Sequence, residues 1–199
     1  MAEKIILASS SPRRKELLSL AGLAFEIRVS DIDETPRRGE SPKSMVKRLS
    51  LEKGREVSKS ATAPEEAGFI IAADTTVVSP DERNLGKPRD ENEAIRMVRA
   101  LQGRTHRVYT GYAILKIESG RIVREVSRVV TTRVTMKKMN PAEIRAYVAR
   151  GECLDKAGAY AAQGFGMALI ERISGSYTNV VGIPVTQVLG DLGRLGWKR

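Results

Sequence analysis

The sequence predicts an α/β or α+β domain built on a mixed central sheet, and three observations lead to this fold class. Segments typical of strands and helices alternate through the first half of the chain. Residues 69–78, FIIAADTTVV, form a nearly continuous apolar and β-branched run, as expected for a central strand buried on both faces. Two long β-rich runs follow, joined at Ser119-Gly120, which indicates a hairpin. Alternating elements favour parallel pairing and a hairpin is antiparallel, so the sheet should contain both.

The elements of the first half have recognisable start and stop signals. An apolar strand at residues 4–8 is followed by Ser11, a typical helix N-cap, and by Pro12 at the first helical position. Gly22 is expected to end that helix. The next expected elements are a strand at residues 24–30, a helix from Ser41-Pro42 to about residue 58, and an exposed connector at residues 58–68.

The second half is read by the same rules. Asp90 to Glu93 and Asn140 to Glu143 both have the residue pattern of a capping box at a helix start. The expected elements are a helix ending near Gly103, hairpin strands at 105–118 and 121–135, a helix ending at Gly151, a Gly/Ala-rich loop at 154–164, a strand at 166–173 and a last helix from Pro184.

Composition narrows the class of protein. The chain has 199 residues, of which 41% are hydrophobic and 29% charged, and we expect one domain spanning residues 1–199. A single cysteine excludes an internal disulfide and fits a cytoplasmic location, and no apolar stretch is long enough to cross a membrane. The net charge of +10 favours an anionic partner, either nucleic acid or a phosphorylated small molecule. The basic residues are spread along the chain, which is also the pattern of an ordinary solvated surface.

The segment ILASSSPRRKELL combines a strand end, hydroxyl groups and a helix start. A helix N-terminus offers free backbone N–H groups and a positive dipole end, which attract anions. Ser9 and Ser11 precede this helix, and Arg13 and Arg14 lie in its first turn, where cations are electrostatically unfavourable. A bound polyphosphate would explain the two arginines. An ordinary serine cap with surface arginines explains the pattern equally well.

Two charged residues fall where apolar ones are expected. Asp74 lies within the apolar strand, and a buried carboxylate is costly unless it is paired or binds a metal ion. Alternatively, the strand ends at Ala73 and Asp74 caps a turn. Lys53 lies on the same helix face as Val46 and Leu49, so it either extends along the surface to solvent or reaches a phosphate site.

The remaining candidates carry weaker signals. Asp33 and Glu34 follow a strand end, where carboxylates can bind a divalent cation, although such loop residues are often merely solvated. Lys87 precedes a helix, and Gln163 lies in the Gly/Ala-rich loop. His106 is the only histidine, which excludes a multi-histidine metal site. The common nucleotide-binding loops GxxxxGK[ST] and GxGxxG are absent from the sequence.

Several motifs, in this order along the chain, resemble those of the Maf family. The opening ILASSSPRR resembles the family's Ser-x-Ser-x-Arg-Arg start. Also similar are DIDE at residues 31–34, AADTTVV, GKPRD, GRTHRVYT, DKAGAYAAQG and GSYTNVVGIP. Together they cover nearly the whole chain.

The resemblance implies a mixed-sheet α/β fold similar to that of inosine triphosphate pyrophosphatases, with two lobes around a cleft, and often a homodimer. It implies a pyrophosphatase that needs a divalent cation, Mg²⁺ or Mn²⁺. By position, Asp74 matches the proton acceptor and a metal ligand, and Asp33 matches a further carboxylate of the metal site. Residues matching those that set base specificity are Arg13, Thr75 and Gln163, and those matching the phosphate site are Ser9, Ser11, Arg14, Lys53 and Lys87.

The pattern Ala-Asp-Thr with the late Gln163 resembles the branch that hydrolyses dTTP and UTP. The expected partner is therefore a nucleoside triphosphate rather than nucleic acid or a membrane. The sister branch acting on 7-methyl-GTP is the nearest alternative. A non-enzymatic protein, which binds nucleic acid or regulates cell division, is the other.

Overall fold

A computed structural model describes residues 4–61 and 67–198. The central part of the predicted connector at 58–68, residues 62–66, lies outside the described residues. Two compact units emerge, each assembled from separate stretches of chain. The first unit takes the described residues of Met1–Asp74, Thr110–Val130 and Gly182–Arg199, and the second takes Thr75–Tyr109 and Thr131–Val181.

Seven strands and six α-helices make up the regular structure of the described residues. The strands are β1 (Lys4–Leu7), β2 (Glu26–Ile27), β3 (Gly68–Val78), β4 (Asn84–Leu85), β5 (Thr105–Glu118), β6 (Arg121–Met136) and β7 (Ile170–Ser174). The helices are α1 (Pro12–Leu20), α2 (Pro42–Ser58), α3 (Glu91–Leu101), α4 (Pro141–Val148), α5 (Tyr177–Val181) and α6 (Val185–Arg194), with short 3-10 helices at Ala157–Ala159 and Gly164–Leu169.

The sheet is mixed, which confirms the predicted fold class of a mixed central sheet flanked by helices. Its strand order is β2-β1-β3-β5-β6-β7, and β4 pairs with β3. Strand β1 pairs in parallel with β2 and β3, whereas β4 and β7 pair antiparallel with β3 and β6. The predicted hairpin turn is present, with positive φ angles of 49° at Ser119 and 70° at Gly120, as a tight two-residue hairpin turn requires.

In the first unit, helix α2 packs one face on the sheet. Its buried residues include Val46, Leu49 and Lys53, so the predicted inward stripe is confirmed. Close packing depends on Gly111, because a Cβ there would lie 2.1 Å from the carbonyl oxygen of Val46. This contact fixes the helix against β5 and places Lys53 on the buried face.

The second unit has its own core. Helices α3 and α4 bury Val98, Leu101 and Tyr147 with strand residues Val108 and Met136. Asn140 caps α4 with the complete predicted capping box. At α3, Asp90 accepts the N–H of Glu93 as predicted. The reciprocal bond was predicted wrongly, because the Glu93 carboxylate instead accepts from the backbone and guanidinium of Arg89.

Two strand predictions were wrong in extent. The strand expected at 24–30 is only Glu26–Ile27, which pair with Ile6 and Leu7 of β1; the last backbone bond to β1 is from the Arg28 N–H to the Leu7 carbonyl oxygen. The strand expected at 166–173 is a 3-10 helix over Gly164–Leu169 followed by β7. Pairing with β6 reaches only from Ile170 to Ser174, so the earlier residues have no ladder to join. Within the described residues, no helix has the length and apolarity to cross a membrane.

Candidate active site

The loop between β1 and α1 is organised by Ser9 rather than by Ser11. Ser11 is the N-cap residue of α1, but its side chain makes no capping hydrogen bond, so its predicted side-chain cap is wrong. The buried hydroxyl of Ser9 instead accepts the backbone N–H of Ser11 at 3.2 Å and Nη1 of Arg14 at 3.1 Å. No acidic residue occupies the first turn of the helix, so no carboxylate of that turn offsets its positive end.

Arg14 is fixed beside this loop. Its Nε donates to the carbonyl oxygen of Gly182 at 2.8 Å. Burial lowers the pKa of the guanidinium, an effect that the negative charge of Asp74 opposes, with a smaller opposing effect from Glu34. Arg14 therefore lies within electrostatic reach of both carboxylates. Arg13, the next residue toward the helix start, is partly buried.

Lys53 joins two carboxylates. Its Nζ lies 2.7 Å from Oδ1 of Asp74 and 2.8 Å from Oε1 of Glu34. Lys53 and Asp74 are each 8% exposed, so the strand does continue through Asp74 and the carboxylate is buried and paired. Glu34 is largely exposed. An ammonium group between two carboxylates, with Arg14 nearby, forms a compact cluster of alternating charge in the first unit.

Asp33 lies apart from the cluster of Lys53, Asp74 and Glu34. It is exposed, and its Oδ1 accepts the backbone N–H of Thr35 at 2.9 Å. Hydrogen bonding from the Thr35 side chain and, to a smaller extent, from its backbone lowers the pKa of the Asp33 carboxyl. Asp33 also lines a surface pocket of about 460 Å³ with Arg37 and Arg48. In the acidic loop at residues 31–34 (DIDE), Glu34 rather than Asp33 contacts Lys53, which also pairs with Asp74.

The donor set fits a divalent cation bound mainly through carboxylates and substrate. Residues 4–61 and 67–198 contain no group of three or more His, Cys, Asp or Glu side chains suited to hold a metal ion. Asp74 and Glu34 nevertheless converge on one cationic atom, Lys53 Nζ, and each keeps a second carboxylate oxygen. Mg²⁺ is commonly bound by one or two carboxylates together with water and substrate phosphates. Asp74 and Glu34 could supply these two carboxylates.

The other predicted site residues belong to the second unit. Thr75, which follows Asp74 along β3, is partly buried, and so is Gln163. Lys87 is exposed after β4. The N–H of Gly158 donates to the carbonyl oxygen of Gly86 at 3.1 Å, which ties the Gly/Ala-rich loop to the segment that carries Lys87.

The sequence profile of Maf-like proteins matches residues 4–195. The chain belongs to the Maf-like protein family. It is 46% identical over 193 residues to a dTTP/UTP pyrophosphatase of Geobacter sulfurreducens, with 97% of each chain covered. It is 45% identical over 203 residues to a dTTP/UTP pyrophosphatase of Anaeromyxobacter dehalogenans, with 100% of each chain covered.

Among solved structures, a HAM1 protein from Coxiella burnetii has the same fold. The match covers 98% of this chain and 100% of that one, with a TM-score of 0.52 and 14% sequence identity. At that identity the comparison concerns the fold alone.

Two features of this Maf-like chain were not assigned from the sequence. Glu34 was considered with Asp33 as a possible cation ligand, but only Asp33 was assigned to the metal site, because an irregular loop has no periodicity to show which carboxylate turns inward. His106, whose role the sequence left open, is 1% exposed, and its Nε2 lies 2.8 Å from the hydroxyl of Tyr160. His106 lies near the start of β5, and that position gave no signal for a partner 54 residues away.

Proposed function

We propose that this Maf-like protein hydrolyses dTTP and UTP to the nucleoside monophosphate and pyrophosphate. The observation that carries the proposal is the buried Asp74 carboxylate, paired with Lys53 and within electrostatic reach of Arg14. The dTTP/UTP pyrophosphatases that share 44–46% of its sequence support the choice of substrate. Hydrolysis of a triphosphate needs a positioned water, a proton acceptor and neutralised phosphate charge.

The chain's own groups suit each of these tasks. Water attacks the α-phosphorus, the bond from that phosphorus to the bridging oxygen breaks, and pyrophosphate leaves. Asp74 accepts the proton that the water loses. The Lys53 ammonium has three N–H donors, of which Asp74 and Glu34 engage two, so the third would reach a phosphate oxygen.

The start of α1 would bind further phosphate oxygens. Ser9 and Ser11 lie at this positive helix end, and Arg13 and Arg14 add two positive charges. We propose that Lys87 contributes from the segment after β4. This arrangement explains why a helix start without acidic residues carries two arginines.

A divalent cation, Mg²⁺ or Mn²⁺, is part of the proposal. Asp74 would hold it with a carboxylate of the acidic loop, and Glu34 is better placed for this than Asp33. When bound, the cation would neutralise charge on the phosphate oxygens. Base recognition is proposed for Arg13, Thr75 and Gln163, since polar groups that a wrong nucleobase leaves unpaired disfavour its binding. We further propose that the protein acts as a cytoplasmic homodimer.

The test is pyrophosphate release from dTTP, UTP, CTP, GTP and 7-methyl-GTP with Mg²⁺ or Mn²⁺. We expect turnover of dTTP and UTP, and a loss of about 10²–10⁴-fold in kcat in Asp74→Asn. Asp81→Asn is the matched control, because Asp81 is an exposed partner of Arg104. Turnover of 7-methyl-GTP alone would assign the protein to the sister branch that acts on this nucleotide. Absence of turnover with every triphosphate, or full activity in Asp74→Asn, would contradict the proposal.

A further inference from the structure

A buried pair of side chains anchors the loop that carries Gln163. His106 of β5 and Tyr160 are 1% and 4% exposed, and Nε2 of His106 lies 2.8 Å from the Tyr160 hydroxyl. The two rings meet edge to face with centroids 5.2 Å apart. Among the described residues, Nδ1 of His106 has no hydrogen-bond partner. The hydrogen bond to Tyr160 is therefore the one that the buried His106 imidazole makes among the described residues.

The next two residues are held by tyrosines from other elements. The N–H of Ala161 donates to the hydroxyl of Tyr147, on α4, at 3.1 Å. The hydroxyl of Tyr177, on α5, donates to the carbonyl oxygen of Ala162 at 3.2 Å. Each of the three residues before Gln163 is therefore fixed by a hydrogen bond from a different helix or strand.

The backbone of this segment depends on such contacts. It leaves a turn with positive φ angles of 71° at Gly158 and 55° at Ala159, the second of which a residue with a Cβ rarely adopts. Tyr160 (φ −146°, ψ 157°) and Gln163 (φ −122°, ψ 167°) have extended backbone angles, but the chain bends at Ala162 and Gln163 and lies outside the strands of the sheet. Without a strand ladder, side-chain hydrogen bonds take the place of backbone pairing.

We propose that Tyr147, Tyr177 and the His106–Tyr160 pair are positioning residues for nucleobase recognition. They hold residues 160–162 so that the Gln163 side chain meets the base at one fixed place. The inference rests on the proposed function, in which Gln163 contacts the base. Discrimination between bases that differ by one donor or acceptor depends on such fixed placement of the polar group.

The test removes single hydroxyl groups and keeps the rings. Tyr147→Phe, Tyr160→Phe and Tyr177→Phe are assayed for kcat and KM with UTP and with CTP, which differ at one edge of the base. We expect the ratio of kcat/KM for UTP over CTP to fall about five- to tenfold in each variant, the effect of one lost hydrogen bond. The change should lie mainly in a higher KM for UTP, because the base contact is made equally in the ground and transition states.

Tyr112→Phe is the matched control. It removes a hydroxyl that donates to Asp191 at 2.7 Å in the first unit, so it also deletes a buried hydrogen bond. A general loss of stability would affect control and test variants alike, whereas the UTP/CTP ratio should stay at the wild-type value in Tyr112→Phe.

Tyr177→Phe decides the matter if the buried variants fold poorly, because Tyr177 is 46% exposed and its ring tolerates the change. An unchanged UTP/CTP ratio in folded Tyr177→Phe and Tyr147→Phe, with an active wild type, would overturn the positioning proposal and leave the proposed function standing. A wild type that hydrolyses no triphosphate would overturn both.

Discussion

Nζ of Lys53 lies 2.7 Å from Oδ1 of Asp74, and the two side chains are 10% and 11% exposed. The pair joins helix α2 to strand β3 inside the first unit. An ion pair so little exposed to solvent is costly to break from one side, because the remaining charge stays buried without compensation. The same pair thus contributes to both stability and the proposed chemistry.

Lys53→Met tests the structural part of this relationship. The variant leaves the Asp74 carboxylate buried without its ammonium partner, so the free energy of unfolding should fall by about 3 kcal/mol. Urea unfolding at neutral pH measures this. Lys59→Met is the control, because the Lys59 side chain is 73% exposed beside Glu56 and surface pairs contribute little. Equal effects of the two substitutions would contradict the importance of burial.

Glu34→Gln and Asp33→Asn separate the roles of these two carboxylates in the acidic loop. Glu34 contacts Lys53 at 2.8 Å, so loss of its charge should lower kcat/KM for dTTP about tenfold or more. The Asp33 side chain accepts the Thr35 N–H, a bond that an asparagine oxygen can also accept. Asp33→Asn should therefore cost less. The reverse order of effects would return the metal-binding role to Asp33.

The stability of the protein should fall between about pH 6.5 and pH 4 because of one imidazole. Burial lowers the pKa of His106 to about 4 from an ordinary value of 6.5, so the unfolded chain takes up this proton at a higher pH than the folded chain. The stabilising contribution is complete above pH 6.5 and is lost as pH falls toward 4, up to about 2–3 kcal/mol.

Urea unfolding of the wild type and His106→Gln at pH 7.5 and 4.5 measures the effect. His106 is the only histidine, so the variant lacks imidazole titration altogether. The wild type should lose more stability than the variant over this range. Parallel losses in the two proteins would show that His106 is not protected from protonation.

Gly158→Ala should be more disruptive than Gly151→Ala. The two glycines have similar φ angles of 71° and 75°, so both substitutions carry a backbone cost of about 1 kcal/mol. A Cβ at Gly158 would also lie 2.9 Å from a side-chain carbon of Val77, whereas at Gly151 it would meet no atom of the described residues within 4 Å. We expect thermal unfolding to show a clearly larger loss for Gly158→Ala, about 2 kcal/mol or more. Equal losses of stability in the two variants would show that the loop at Gly158 accommodates a Cβ without a steric cost.

The elements with strong local signals were predictable from the sequence. Periodicity placed Lys53 on the buried face of α2, and the apolar run around Asp74 marked β3 as a central strand. The strand at 24–30 was predicted too long because strand length depends on the partner, which is distant in sequence. The Glu34–Lys53 contact and the His106–Tyr160 bond were not predictable for the same reason, since each joins an irregular loop to a residue far along the chain.

The position of bond cleavage tests the central claim most directly. The protein is incubated with dTTP in water enriched in ¹⁸O, and the products are weighed by mass spectrometry. We expect one ¹⁸O atom in dTMP and none in pyrophosphate, since water attacks the α-phosphorus. Label in pyrophosphate, or release of orthophosphate with dTDP, would contradict the proposed reaction.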